Sequence, residues 1–231
     1  MAANMPGRAP GHLGTTRLTK AGVLATVLVV LAASAADLID HGFHLGIPAL
    51  DSASDSGVFG ALVDVAVAAA AAAAWVVMVR ARSVRLTAGV LAVLLTFLAV
   101  DQASALHDRI PHWLAFYLPV LLASFGCLVA IARGARGAGL DRVVVAGLVL
   151  LVFSFLLHLF GERLLASLGL SNPAGWAYQV KVVVKHGTEV AGWLLIAVGL
   201  LRLGLPGRLP GRPRSGQDGG RRAVVRTTDL A

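Results

Sequence analysis

The stretch WAYQVKVVVKHGTEVAGWLLIAVGLLR, residues 176–202, decides the fold, because it is an apolar, helix-length segment with ionisable side chains in its first half. A charge near the centre of a bilayer costs roughly 2.5–3.5 kcal/mol on insertion scales, so a charge within a span usually serves a function. Spacings of three and four residues place four side chains on one helix face: Tyr178, Lys181, Lys185 and Glu189. The segment therefore predicts a transmembrane helix whose polar face needs partners from other helices.

The rest of the chain is as apolar as this segment. Its 231 residues are 57% hydrophobic and only 14% charged, with a mean hydropathy of +0.79, which is typical of a membrane protein rather than a soluble domain. Six segments approach the roughly 20 residues needed to cross about 30 Å of hydrocarbon: 21–43, 58–79, 86–108, 113–132, 143–162 and 176–202. We therefore predict an all-α, six-helix transmembrane bundle that occupies residues 21–202 as one domain.

The positions of the basic residues indicate how the bundle is oriented. Sixteen of the 20 Lys and Arg fall in alternate loops and tails, namely in residues 1–20, 80–85, 133–142 and 202–226. By the positive-inside rule these segments, and with them both termini, are cytoplasmic. Residues 1–20 and the basic residues 203–231 are predicted to be disordered tails. The net charge of +8 thus reflects topology and attraction to membrane lipids, and predicts no nucleic-acid partner.

Composition also indicates the type of organism and the membrane in which the protein occurs. Arg outnumbers Lys seventeen to three, which suggests a bacterium with a GC-rich genome and hence a location in the inner (plasma) membrane. The single cysteine, Cys127, cannot form an intrachain disulfide. Residues 33–35 (Ala-Ser-Ala) resemble a signal-peptide cleavage site. Polar side chains at helical spacing continue beyond them, however, from Asp37 to His44, so we expect the first span to be retained.

Most acidic residues and histidines fall in the outer half of the predicted spans or in the outer loops: nine of twelve acidic residues and six of seven histidines. At about 1.5 Å per residue, Asp37, Asp64 and Asp101 are expected roughly 10 Å below the outer surface, with Glu189 near the midplane. These depths predict one polar pocket, open to the outside and formed by spans 1, 2, 3, 5 and 6.

The fourth span is predicted to have only a structural role. It contains no Asp, Glu, Lys, Arg or His. Its Trp113, Phe116 and Tyr117 are interpreted as part of an aromatic belt at the membrane interface, and Pro119 as the cause of a kink.

Histidines and carboxylates at similar depth suggest a metal-assisted or acid–base site. Neutral imidazole and carboxylate are ligands that zinc prefers, and three such ligands plus water generate hydroxide near neutral pH. The candidate metal ligands are His107, His158 and Asp101, with His41 and His44 in reserve. The candidate catalytic residues are Asp101, Glu189 as general base and Lys185 as stabiliser of an anionic transition state. The substrate would be a membrane-associated, lipid-like molecule reached from the outer leaflet.

Two alternatives leave open whether the protein is an enzyme. The first is a structural salt-bridge network, in which Lys181 and Lys185 neutralise carboxylates within the bundle: Asp37, Asp64, Asp101 or Glu189. The second is a transport, ligand-binding or assembly role, because chains of Asp, Glu and His are typical of transporters. The apolar inner halves of the spans and the lack of an internal repeat count against transport. No motif indicates a protein partner.

Two short motifs carry a resemblance. Residues 101–108 match the pattern D-[EQ]-x4-H-[ED], and residues 186–193 read H-G-T-E-V-A-G-W. Both resemble signatures of a loose group of uncharacterised six-span bacterial integral membrane proteins, and together they cover about a tenth of the chain. In that group a carboxylate is commoner at the positions of Gln102 and His186. The resemblance therefore implies a six-span fold and no particular activity.

Overall fold

The computed structural model describes residues 11–50, 57–106, 109–134 and 141–204. Within these ranges the chain forms six long helices and no strand: α1 Gly11–Phe43, α2 Val58–Arg80, α3 Arg85–Ser104, α4 Trp113–Gly134, α5 Asp141–Ser167 and α6 Trp176–Gly204. Each helix is long and apolar enough to cross a membrane. The prediction of an all-α arrangement with six helices long and apolar enough to span a membrane is therefore confirmed for the described residues.

Helix α1 begins earlier than the sequence predicts. It starts at Gly11, so residues 11–20, expected to belong to a disordered tail, are helical. Pro10 precedes this start, and no proline occurs between Pro10 and Pro48, so no residue in this stretch lacks a backbone donor. The stretch of membrane-spanning composition begins at Thr19. Residues 1–10 and 205–231 lie outside the described part of the chain.

Consecutive helices run in opposite directions. Gly22, early in α1, lies against Val198 late in α6, while Gly42 at the other end of α1 lies against Trp176 at the start of α6. The last turns of α1, α3 and α5 and the first turns of α2, α4 and α6 therefore share one end of the bundle, which we call the polar end. The opposite end carries exposed arginines, and we call it the basic end: Arg80, Arg82, Arg85, Arg133 and Arg142.

Helix α6 is the centre of the bundle. It packs against α1, α2 and α5, while α3 packs against α2 and α4, and α4 closes the arrangement against α5. The alanine run of α2 lies at the core, with Ala70, Ala73 and Ala74 fully buried. Helices α5 and α6 approach most closely through glycines, since a Cβ added at Gly147 would lie 2.8 Å from the carbonyl oxygen of Gly192. Small residues permit this close backbone approach.

Candidate functional site

Three neighbouring ionisable side chains of α6 form what we call the α6 cluster: Lys185, His186 and Glu189. The Nζ of Lys185 lies 3.4 Å from Nε2 of His186. On the other side of the ring, Nδ1 of His186 lies 3.8 Å from Oε2 of Glu189. All three side chains are half-buried, and Phe59 of α2 lies against the imidazole with ring centroids 6.1 Å apart. One imidazole therefore stands between an amine and a carboxylate inside the bundle.

The imidazole keeps one nitrogen available. Nδ1 of His186 is buried and makes no hydrogen bond within the described ranges, because 3.8 Å to the Glu189 oxygen exceeds hydrogen-bonding distance. Buried polar atoms without a partner are rare in folded proteins, and each one calls for an explanation. A nitrogen held close to a carboxylate can exchange a proton with it after a small side-chain movement.

Helix α5 fixes the position of the cluster. The hydroxyl of Ser154 donates a hydrogen bond of 3.0 Å to the backbone carbonyl of Lys185, which ties the two helices together at this depth. His158 follows Ser154 by about one helical turn, on the same face of α5. It also interacts electrostatically with His186. The structure thus brings His158 into the neighbourhood of the α6 cluster.

Asp101 is linked to the same region through α4. It is only 4% exposed and accepts a hydrogen bond from the hydroxyl of Tyr117. The Tyr117 ring lies 6.2 Å from that of Trp113, and the Trp113 ring lies 5.8 Å from that of His158. The aromatic residues of α4 therefore bridge two of the predicted site residues, Asp101 and His158.

The sequence analysis missed the role of Tyr117. A tyrosine at the start of a span fits an interfacial belt equally well, and only the packing of α3 against α4 reveals its partner. The available signal was the buried carboxylate itself, since a carboxylate inside a span requires a donor from a neighbouring helix.

Removal of the Tyr117 hydroxyl is expected to destabilise the protein. Tyr117→Phe should lower the free energy of unfolding by about 1–3 kcal/mol, because it deprives the buried Asp101 of a donor. Tyr178→Phe is the control, since that ring is half-buried and serves to hold Lys181 at 4.7 Å. Thermal unfolding of the detergent-purified variants measures the difference. Equal melting temperatures for both variants would refute the role of this bond.

The partner of Lys181 is not one of the carboxylates that the salt-bridge interpretation assigns to it. The Nζ of Lys181 lies 3.5 Å from Oε1 of Glu162, whose side chain is 73% exposed. The lysine stem passes over Gly161 of α5, where a Cβ would meet it at 3.0 Å, and this glycine directs the amine toward the exposed carboxylate. The Lys181 side chain is itself only 12% exposed, so the pair joins a largely buried amine to an exposed carboxylate.

A second polar region lies between α1 and α6. Asp37 is 2% exposed and accepts a hydrogen bond of 2.7 Å from Nε2 of Gln179. His41 is half-buried and meets Trp176 edge-on, with ring centroids 4.8 Å apart, whereas His44 is exposed beyond the end of α1. This region lies at the start of α6, before the α6 cluster in the chain. The single outward-facing pocket stays a prediction.

The two regions lie at different heights on α6. Gln179 precedes Glu189 by ten residues, about 15 Å along the helix, and precedes His186 by seven residues, about 10 Å along the helix on nearly the same face. Gln179 was not among the predicted site residues because a neutral amide gives no charge signal.

Only part of the predicted metal site lies within the described part of the chain. Among the described residues, no three His, Cys, Asp or Glu side chains are grouped closely enough to hold a metal ion. His107, one of the three predicted ligands, lies outside the described ranges, as does Asp108. Of the other two, Asp101 is bound to Tyr117 and His158 lies against Trp113.

Comparison of the chain with protein-family models, curated proteins and solved structures gives no match.

Proposed function

We propose that the chain is a multi-pass protein of the bacterial cell membrane, with both termini in the cytoplasm. The charge distribution supports this orientation. The exposed arginines of the basic end lie at or next to the connections from α2 to α3 and from α4 to α5, and Lys and Arg close to the ends of spans favour the cytoplasmic side. The polar end then faces outward.

We infer that the α6 cluster performs acid–base chemistry on a membrane-associated substrate. The observation that carries this inference is the placement of the His186 imidazole between Lys185 Nζ, at 3.4 Å, and Glu189 Oε2, at 3.8 Å. An imidazole can take up a proton at one nitrogen and release one at the other. Glu189 would act as general base through His186, while the ammonium group of Lys185 would stabilise negative charge that develops on the substrate.

The position of the cluster favours a lipid-like substrate. The site lies among helices whose outer surfaces are apolar, and the described chain forms no separate soluble domain. His158 is exposed at the surface of the bundle beside Trp113. A molecule in the outer leaflet can therefore approach from the side, between α4 and α5, without leaving the membrane.

Lipid analysis tests this proposal. Extracts from a strain that lacks the protein are compared by mass spectrometry with extracts from the same strain carrying the wild-type chain. We expect one lipid or lipid-linked species to accumulate in the deletion strain and a related species to disappear, with both restored by the wild-type chain. Identical extracts from strains with and without the protein would contradict a lipid-modifying activity.

A metal-assisted form of the reaction would use His107, His158 and Asp101 as ligands for a divalent ion such as zinc, which supplies hydroxide near neutral pH. Elemental analysis of the purified chain tests this form. It requires metal in nearly equal amount to protein, and loss of that metal in His158→Ala. If the wild-type chain is purified without metal, the metal-assisted form is excluded. Acid–base chemistry by the α6 cluster alone then remains.

A non-enzymatic role in transport, ligand binding or assembly is the second candidate. It is favoured by polar bonds that each tie two helices together, from Tyr117 to Asp101 and from Gln179 to Asp37. In that case the ionisable residues would form a structural network, and loss of a charge would act through the amount of folded protein.

A further inference from the structure

We propose that an arginine patch at the basic end binds the phosphate group of an anionic membrane phospholipid. The patch consists of Arg82 in the connection between α2 and α3, Arg85 at the first residue of α3, and Arg133 in the last turn of α4. All three side chains are exposed. No residue of the α6 cluster takes part, so the proposal does not depend on the reaction assigned to that cluster.

A direct contact brings the two segments of the patch together. Val84 lies against Gly134, the last residue of α4, since its Cγ1 is 3.2 Å from the position of a Cβ added to that glycine. Each arginine is within two residues of this contact: Arg82 and Arg85 on one side of it, and Arg133 on the other. Consecutive Cα atoms are only about 3.8 Å apart. Three long cationic side chains therefore start from one small area of the surface.

The segments that form the patch supply no acidic residue to neutralise it. No Asp or Glu occurs in residues 65–100 or 109–140, which include all of α4 and most of α2 and α3. The acidic side chains that the structure describes lie toward the polar end or near the middle of the bundle. The positive charge of the patch is therefore compensated neither by its own segments nor by a described carboxylate beside it.

The start of α3 adds to this positive charge. Its first turn contains Arg85 and no acidic residue, and Val84 at its N-cap makes no side-chain capping bond. The start of a helix carries partial positive charge, which favours an anion and disfavours a cation. An arginine at this position is therefore electrostatically unfavourable unless an anion lies nearby.

The position of the patch indicates that this anion is a lipid phosphate. The membrane-spanning stretches end at Arg80 in α2 and at Gly134 in α4, and the stretch that includes α3 begins at Arg82. The patch thus lies where hydrocarbon gives way to headgroups. Val79 and Leu86 are 68% and 82% exposed, so apolar surface suited to acyl chains adjoins the arginines. Basic pockets between membrane-spanning helices bind anionic lipid headgroups.

The chemistry of the side chains favours a phospholipid with net negative charge. A guanidinium group donates two parallel hydrogen bonds to phosphate oxygens. In a zwitterionic lipid the ammonium group of the headgroup is repelled by the same arginines, which weakens the attraction. The positive-inside rule alone requires neither this preference nor contact between the two connections, because it concerns only the side of the membrane on which Lys and Arg lie.

The test uses the full-length chain purified in detergent, with bound lipid counted by native mass spectrometry. The probes are dioctanoyl phosphatidylglycerol, dioctanoyl phosphatidylethanolamine and the soluble headgroup glycerophosphoglycerol. We expect the glycerol lipid to bind about ten times more tightly than the ethanolamine lipid, which corresponds to one charge-assisted contact. Equal binding of the two lipids would overturn the proposal. Binding of the soluble headgroup as tight as that of the glycerol lipid would also overturn it, because the ligand would then be a soluble phosphate diester.

Paired variants locate the binding. Arg82→Gln combined with Arg133→Gln removes one cation from each side of the contact and should weaken binding of the glycerol lipid about tenfold. Arg17→Gln combined with Lys20→Gln is the matched control. It removes the same charge at the same end, from exposed side chains of α1, which packs against α6, and should bind nearly as tightly as the wild type. An equal loss in both paired variants would show that overall charge attracts the lipid, and would refute the patch as the site.

Two further measurements apply if the paired variant is not recovered as folded protein. The single variants Arg82→Gln and Arg133→Gln should each weaken binding about threefold, which is half of the paired effect in free energy. For the wild type, salt at about 1 M screens exposed charges beyond about 3 Å, and should remove the preference for the glycerol lipid. A preference that persists in both single variants, or at high salt, would contradict recognition of charge by the patch.

Discussion

Gly147→Val is expected to prevent the bundle from folding stably. A Cβ at this position would lie 2.8 Å from the carbonyl oxygen of Gly192 and 2.9 Å from Cγ1 of Ile196. The first of these atoms belongs to the backbone and cannot move aside without shifting a helix. Overpacking of a well-filled core costs about 1–3 kcal/mol and sometimes more, and here the added side chain meets the backbone of the neighbouring helix. We expect the melting temperature to fall sharply, or no folded protein to be recovered.

Gly126→Val is the matched control for this experiment. Gly126 also lies within a membrane-spanning helix, α4, but a Cβ added there would meet nothing within 4 Å. Both variants introduce the same β-branched side chain into a helix, so any difference between them reports the contact with α6. If the two variants melt at the same temperature, the close approach of α5 and α6 is wrong, and with it the placement of Ser154 against Lys185.

Glu189→Gln is expected to abolish activity while leaving the protein folded. A general base that cannot accept a proton costs about 100-fold or more in rate. The amide keeps the shape of the side chain and its capacity for hydrogen bonding, so we expect the free energy of unfolding to fall by no more than about 1–2 kcal/mol. The lipid extract of a strain with this variant should therefore match that of the deletion strain, although the amount of protein is normal.

Glu162→Gln serves as the control for Glu189→Gln. Glu162 carries the same carboxylate, but its side chain is 73% exposed and lies outside the α6 cluster, so its loss should leave the lipid extract unchanged. The salt-bridge interpretation predicts a different result. Under that interpretation Glu189→Gln lowers the melting temperature severely, and the lipid change follows the amount of folded protein. That result would favour the structural role over the catalytic one.

The architecture was predictable because a bilayer imposes its own length scale. Six apolar segments of the required length appear directly in the sequence, and the structure has a helix at each of them. The polar face of α6 was also predictable, because helical spacing alone places Lys181 near Tyr178, and the amine does lie 4.7 Å from that ring.

The partners of these side chains were not predictable, since they depend on how the helices rotate against each other. Lys181 lies next to Glu162 because Gly161 leaves space for its stem. Tyr117 and Gln179 bind carboxylates, yet neither stands out in the sequence, because an interfacial tyrosine and a neutral amide are common at helix ends. The early start of α1 was not predictable from composition, because residues 11–20 are rich in Gly and Thr, yet the helix extends through them into the apolar segment.

We propose that ionisable side chains of α5 and α6 line a region accessible to water from outside the cell. Thiol labelling of intact cells tests it in a Cys127→Ala background. Only the thiolate reacts quickly, and apolar surroundings keep a thiol protonated. Phe160→Cys is the control, because Phe160 is exposed on the bundle surface two residues closer to the polar end than His158.

We predict that a charged, membrane-impermeant methanethiosulfonate labels His158→Cys at least about ten times faster than Phe160→Cys, because hydrocarbon around the control thiol suppresses the thiolate. Ser171→Cys, in the loop before α6, should react fastest of all. If His158→Cys reacts no faster than Phe160→Cys while Ser171→Cys is labelled, His158 faces lipid and the proposed site is wrong. If none of the three is labelled until the cells are opened, the polar end faces the cytoplasm.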